Sequence, residues 1–286
     1  MPFEPPVASP RSLADAYGLL ADGGMPWRPL AGGTDLLVQI TGETAPPPER
    51  VLDIWAVREL RGIEADSDAL TIGALTTWTD LRRSAEVRER LPALAEAAAT
   101  IGALQIQNRG TLGGNIVNAS PAGDSLPVLL ACDATIVLGG PRGEREVPAD
   151  AFYTGYRQTV RGDDELVLRV RIPLPEGREV RFRKVGTRRA QAISKVVLAL
   201  AWRPDDDGAW RDVRVAIGSV AATPIRARAT EAVLTGRRPT AETIEVAAAA
   251  VAAEIAPIDD VRSTAVYRRA VTARILARLV REAGGW

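Results

Sequence analysis

Two glycine pairs, each bordered by threonine and placed beside an apolar run, constrain this chain more than any other feature. The first lies in AGGTDL, residues 31–36; the second lies in TLGGN, residues 111–115, inside the longer stretch RGTLGGNIVNASPAGD. Glycine loses more conformational freedom on folding than any other residue. Clustered pairs therefore belong where backbone must turn left-handed or approach another group closely. In the first pair, Gly32 and Gly33 can take positive φ and aim N–H groups at a ligand, and Thr34 adds a hydroxyl donor. In the second, Gly113 and Gly114 repeat the device between Thr111 and Asn115, and Asn118, Ser120 and Asp124 extend the polar surface. Two such loops could clamp a diphosphate from two sides; two ordinary Gly-Gly turns are the alternative. The Asp124 charge repels phosphate, so it suits a sugar hydroxyl or an orienting backbone bond. It could equally cap a helix starting at Ser125-Leu126-Pro127.

Two absences limit the chemistry. The 286 residues include no histidine, and Cys132 is the only cysteine. One thiol makes no internal disulfide and holds neither an iron–sulfur cluster nor a structural zinc. Serine–histidine and cysteine–histidine hydrolases are excluded, as is any histidine acid or base. No DxDxDG calcium loop is present, and neither GxGxxG after a strand nor GxxxxGK[ST] occurs. If the chain takes part in catalysis, a cofactor does the chemistry. The 36 Lys and Arg balance 36 Asp and Glu, which argues against a nucleic-acid footprint or a membrane-surface role. MPFEPPVASP does not read as a signal peptide. The Ala-rich stretch 244–255 is interrupted by Glu245 and Glu254, so no membrane span is expected and the chain reads as cytoplasmic.

The pattern along the chain is α+β. Ser12 is a plausible cap for a helix over LADAYGLLADGG, VLDI is a short strand, and ALTIGALTTW (69–78) reads as another. LPALAEAAATIGA reads as a helix ending before the second glycine loop, and the Pro-rich APPPER reads as a loop. ATIVLGG reads as a strand. In ELVLRVRIPLP, Leu166, Leu168, Val170 and Ile172 alternate as in a half-buried strand. VRFRKV, VVLALAW and DVRVAIGSV read as strands, with a turn at PDDDGAWR, and two helices close the chain. PLPEGRE places a boundary near 174–180.

AGGTDLLVQI, LTIGALTTWTDL, QNRGTLGGNIVNASPAGDSLPVLLACDATIVL, VRFRKVGTRRAQAISKV and VAIGSVAATPIRARATEAVLTG together resemble the FAD-binding (medium) subunit of the molybdenum hydroxylases, the family of xanthine dehydrogenase and carbon monoxide dehydrogenase. The resemblance covers nearly the whole chain, with the motifs in order. It implies a PCMH/vanillyl-alcohol-oxidase-type FAD-binding domain over 1–176, with subdomains of about 1–56 and 57–176, then a C-terminal α+β domain over 177–286. By the same resemblance Leu30 lies near the flavin, and Ala31, Gly32, Gly33, Thr34 and Asp35 line the pyrophosphate. Thr111, Gly113, Gly114, Asn115, Asn118 and Asp124 form the second FAD loop. Ile101 lies against the flavin region, and Leu168 and Lys184 reach its isoalloxazine end. A cation such as Lys184 there would favour the anionic reduced flavin, and a surface lysine is the plain alternative. Some relatives hold an extra cluster in a cysteine-rich insertion; with Cys132 alone, this chain should carry FAD only.

The implied role is an electron outlet. A small [2Fe–2S] subunit and a large molybdopterin subunit are the expected partners, and NAD, a quinone, a ferredoxin or oxygen the external acceptor. The competing readings are a free-standing flavin oxidoreductase of the same fold and a non-catalytic FAD-dependent scaffold or assembly protein.

Overall fold

The computed structural model of the chain describes residues 5–42, 46–188 and 191–285. Part of the leader reading (residues 1–4), residue 45 at the head of APPPER, and residues 189–190 lie outside that range. Three larger sheets follow one another along the sequence, and a two-stranded hairpin, Tyr153–Gly155 with Gln158–Thr159, makes a fourth. The first is parallel: Arg50–Asp53 lies between Val7–Ala8 and Trp27–Leu30. The helix Leu13–Leu20 covers it, capped by Ser12 as expected, with the hydroxyl accepting from Asp15 N. The second sheet is antiparallel, in the order Ile63–Ala65, Ala69–Gly73, Leu166–Pro173, Thr135–Gly140, Gly143–Pro148. The third pairs Glu179–Val185, Val196–Pro204, Trp210–Gly218 and Ile225–Arg226, also antiparallel.

The middle strand of the third sheet explains how the last part of the chain docks on the rest. Val196–Pro204 is apolar on both faces because both are buried. Val196, Leu198, Leu200 and Trp202 pack with Ile244, Val251, Leu276 and Leu279 of the closing helices. Val197, Ala199 and Ala201 join the core formed by the second sheet and the helices Pro92–Thr100 and Leu126–Ala131. On the neighbouring strand, Val180 and Phe182 enter that same core. Successive side chains on a strand alternate between faces, so Lys184 shares their side and is carried toward the second glycine motif.

Three local expectations are corrected. ALTIGALTTW is not one strand: pairing ends at Gly73, and a helix Trp78–Arg83 begins after Thr77. Thr77 and Asp80 form a capping box there, and the spacing T-x-x-D carries that signal in the sequence. The second glycine pair is not a free loop but lies in the first turn of the helix Leu112–Asn118. The expected alternation in Leu166–Pro173 is broken by an irregularity between Val167 and Arg169. Leu166 and Leu168 consequently face the first sheet's core, whereas Val170 and Ile172 face the opposite one.

Leu276 is fully buried between the last helix and the third sheet. Leu276→Ala should cost about 3 kcal/mol of stability through lost burial and the cavity left behind. Denaturant unfolding checks this; an unchanged midpoint would show that this helix does not pack as described.

Candidate functional site

A cleft of about 390 Å³ opens between the first two sheets and receives Lys184 from the third. Its floor is the first glycine motif, which follows the strand Trp27–Leu30 and leads into the helix Leu36–Thr41. Gly33 adopts φ +77°, a left-handed conformation that favours glycine. Gly32 does not need positive φ. A Cβ there would sit 1.8 Å from the carbonyl oxygen of Arg109, because the first motif lies directly on the backbone leading into the second. Among the described residues, no acceptor meets the amides of Gly32, Gly33, Thr34 and Asp35. Four open N–H groups around a left-handed glycine make a cradle for an anion.

The second motif contributes differently from expectation. Its amides are already used: Leu112 N donates to Thr76 O, Gly113 N to Ala74 O, Gly114 N to Thr111 Oγ1 and Asn115 N to Thr111 O. Its glycines are required by packing. A Cβ on Gly113 would lie 2.6 Å from Ala74 Cβ, and one on Gly114 would lie 2.9 Å from the capping Thr111 hydroxyl. What this motif offers the cleft is side chains. Asn118 donates through Nδ2 to Asp35 Oδ1 at 2.9 Å and accepts through Oδ1 from Arg157 at 2.6 Å. Asn115 Oδ1 accepts from Ser125 Oγ at 2.8 Å.

Asp124 neither caps the helix Leu126–Ala131, whose N-cap is Ser125, nor bonds backbone. Its carboxylate accepts from Lys184 Nζ at 2.5 Å and Ser194 Oγ at 2.5 Å, and Lys184 also donates to Thr100 O at 3.0 Å. Burial pushes the Asp124 carboxyl up, opposed by the Lys184 ammonium. Burial likewise raises Asp35, opposed by Arg157 and the Asn118 amide. The cation expected at Lys184 is thus held in an ion pair, and the alternative of a surface lysine does not hold, since both side chains are more than nine-tenths buried. Its net field toward a ligand is correspondingly small.

Fourteen of the fifteen residues singled out in the sequence line this one cleft: Leu30, Ala31, Gly32, Gly33, Thr34, Asp35, Ile101, Thr111, Gly113, Gly114, Asn115, Asn118, Asp124 and Lys184. Leu168 does not; it is 2% exposed in the first sheet's core, while its neighbours Leu166 and Val167 line the cleft. Sequence reasoning missed Arg28, Arg157, Arg161 and Glu165, which also line it. Their positions depend on long-range pairing, and the scattered arginines of this chain give no local signal. Cys132 is fully buried away from the cleft, and burial pushes its thiol up to about 12.

A left-handed glycine, open amides and apolar walls that include Ile54, Leu75, Trp78 and Val117 suit a ligand with an anionic centre and a flat aromatic end. The fold and cleft are thus those of a flavin-binding protein. Residues 1–175 match the FAD binding domain in molybdopterin dehydrogenase, and residues 181–283 match the CO dehydrogenase flavoprotein C-terminal domain. The chain belongs to this FAD-binding family of the molybdenum hydroxylases. It is 34% identical to the carbon monoxide dehydrogenase medium chain of Hydrogenophaga pseudoflava, across 96% of this chain and 95% of that one. It is also 34% identical to the xanthine dehydrogenase FAD-binding subunit of Escherichia coli O157:H7, over 96% and 95%. The solved carbon monoxide dehydrogenase of H. pseudoflava superimposes with a TM-score of 0.92 at 35% identity, covering 97% of this chain and 96% of that chain. FAD is the cofactor of this chain, and the residues of the cleft fit it.

Glu165 supports the cleft wall by accepting two bonds from Arg145, at 2.6 and 2.7 Å, and one from Gly162 N at 2.7 Å. The Arg145 hydrogen bonds hold its carboxyl below the ordinary 4.5. A depressed folded value means stabilisation that is present above the ordinary value and lost as pH falls through the folded one. Glu165→Gln should therefore be less stable than the parent near pH 7, with the gap narrowing as pH falls below the ordinary carboxyl value of 4.5 and through the lower folded one. Thermal melts across pH check this, and a gap that does not vary with pH would contradict it.

Proposed function

We propose that this chain holds the FAD of a multi-subunit molybdenum hydroxylase, between the iron–sulfur clusters of a small [2Fe–2S] subunit and an external electron acceptor. The large partner would carry molybdopterin and the substrate site. The observation that carries this reading is that every carboxylate lining the cleft is engaged. Asp35 is bound to Asn118, Asp124 to Lys184 and Ser194, and Glu165 to Arg145. A cleft so arranged binds and orients a cofactor and leaves the chemistry to it. When bound, FAD supplies the capacity to take up and release electrons.

Within that reading, the open amides of Gly32 to Asp35 hold the diphosphate, and Ile101, Leu166 and Val167 wall the flavin end. Leu30 lies at the head of the first motif. Asp124 and Lys184 tie the C-terminal domain, 177–286, to the FAD-binding domain, 1–176. Beside the cleft, Leu37, Val38, Leu104, Ile106 and Ile193 are all exposed, and no residue of the helix Leu36–Thr41 is buried. An apolar rim of this kind supports contact with partner subunits. The acceptor is an NAD, quinone, ferredoxin or oxygen that reaches the flavin from the open side.

Expression with its neighbours and purification through this chain should recover subunits containing iron–sulfur and molybdenum. A flavoprotein that purifies alone and turns over a substrate would instead make it a free-standing oxidoreductase. Gly33→Val should abolish flavin retention, because the left-handed turn excludes a β-branched residue and a Cβ there already meets Leu37 at 3.0 Å. Flavin absorbance after gel filtration reads this out. Full retention would show that the first motif is a structural turn.

A further inference from the structure

Four cations line the cleft, and they are not used alike. Lys184 is neutralised by Asp124. Arg161 donates to the carbonyl oxygens of Gly162 and Glu165. Arg28 is exposed on the strand at the cleft's edge. Arg157 makes one hydrogen bond, to Asn118 Oδ1, and among the described residues no carboxylate lies within ion-pair distance of it. Its charge is therefore unmatched by direct contact.

Arg157 also stands where its backbone favours another residue. It sits at the tip of the hairpin formed by Tyr153–Gly155 and Gln158–Thr159, in a two-residue turn made of Tyr156 and Arg157. Its φ is +54°, and Tyr156 has no positive φ. In a turn left-handed only at its second central residue, glycine is the ordinary choice. An arginine there is strained, and strain of this kind collects at ligand-binding positions. The side chain reaches across the cleft to Asn118, whose amide in turn holds Asp35, the last residue of the open-amide cradle.

That connection solves an electrostatic problem. A diphosphate over residues 32–35 brings negative charge close to the Asp35 carboxylate, where amide dipoles supply only partial compensation. A guanidinium one side chain away supplies a full positive charge and a fork matched to phosphate oxygens. We propose that Arg157 is an anion-pairing residue for the diphosphate of the cofactor, presented over the cleft by the hairpin tip. This rests on the assignment of the cleft to FAD. Arg157 governs how tightly the cofactor is retained and takes no part in electron transfer.

Arg157→Gly separates this role from a structural one, because glycine relieves the strained turn while removing the charge. Binding of FAD, ADP and riboflavin to the flavin-free full chain is measured by titration, alongside its melting temperature. FAD and ADP should each bind about tenfold more weakly, the loss of one charge-assisted hydrogen bond. Riboflavin, which lacks the diphosphate, should bind as to the parent, and the flavin-free protein should melt no lower than the parent. Arg157→Lys, which keeps the charge without the fork, should recover part of the ADP affinity. Unchanged FAD and ADP binding would overturn the proposal, as would an equal loss for riboflavin or a lowered melting temperature. If Gly33→Val loses FAD while Arg157→Gly retains it, only the Arg157 proposal fails. If the parent itself does not bind FAD, the assignment of the cleft fails with it.

Discussion

The cleft depends on one close approach of backbone to backbone. Gly32 lies against the carbonyl of Arg109, at a distance where any Cβ would overlap the oxygen. The same second motif is stitched on its other side to residues 74–78, through bonds from Leu112 and Gly113 and from Trp78 N to Gly110 O. One strip of chain, 109–113, thus joins the first sheet to the second, and the cradle amides are held open because the motif beneath them is fixed. The roles of the two glycine pairs differ accordingly. Gly33 serves a backbone conformation, whereas Gly32, Gly113 and Gly114 serve proximity. A ligand held between elements of two sheets requires those elements to be placed by something other than the ligand, and this contact does so.

A second constraint brings the last part of the chain to the site. Burying the Asp124 carboxylate alone would be strongly unfavourable, and removing its partner would leave a charge stranded in the interior. Lys184 arrives through the pleat of a strand whose other residues on that face, Val180 and Phe182, are core. Ser194 comes from the same portion of chain and is a second donor to the carboxylate, with the Thr100 hydroxyl a third at 3.4 Å. Packing of the third sheet and closure of the cleft wall are therefore coupled.

Much of this was legible in the sequence where the signal is local. The Ser12 cap, the closing helices, the strand pair around PDDDGAWR and the two glycine motifs stand where residue type and spacing put them. The failures have local causes too. Thr77 and Asp80 end the reading of ALTIGALTTW as one strand by capping a helix, and Thr111 does the same for TLGGN. At Leu168 the break in pairing between Val167 and Arg169 reverses the faces, and nothing in an alternating sequence marks such a break. The site residues that went unseen, Arg157 above all, are brought to the cleft by the packing of separate elements. Asp124 stands out locally as a carboxylate at the end of a polar, glycine-rich stretch, but its partner Lys184, sixty positions on, could be paired with it only through the register of the third sheet.

The claim that everything else rests on is that the contact of Gly32 with Arg109 shapes the FAD cradle. Titration of FAD into the flavin-free Gly32→Ala variant, with far-ultraviolet circular dichroism to show that the fold persists, tests it most directly. The structure predicts a folded protein whose FAD affinity falls by at least about tenfold, since the added methyl must push the two motifs apart. A folded variant that binds FAD as tightly as the parent would contradict the account.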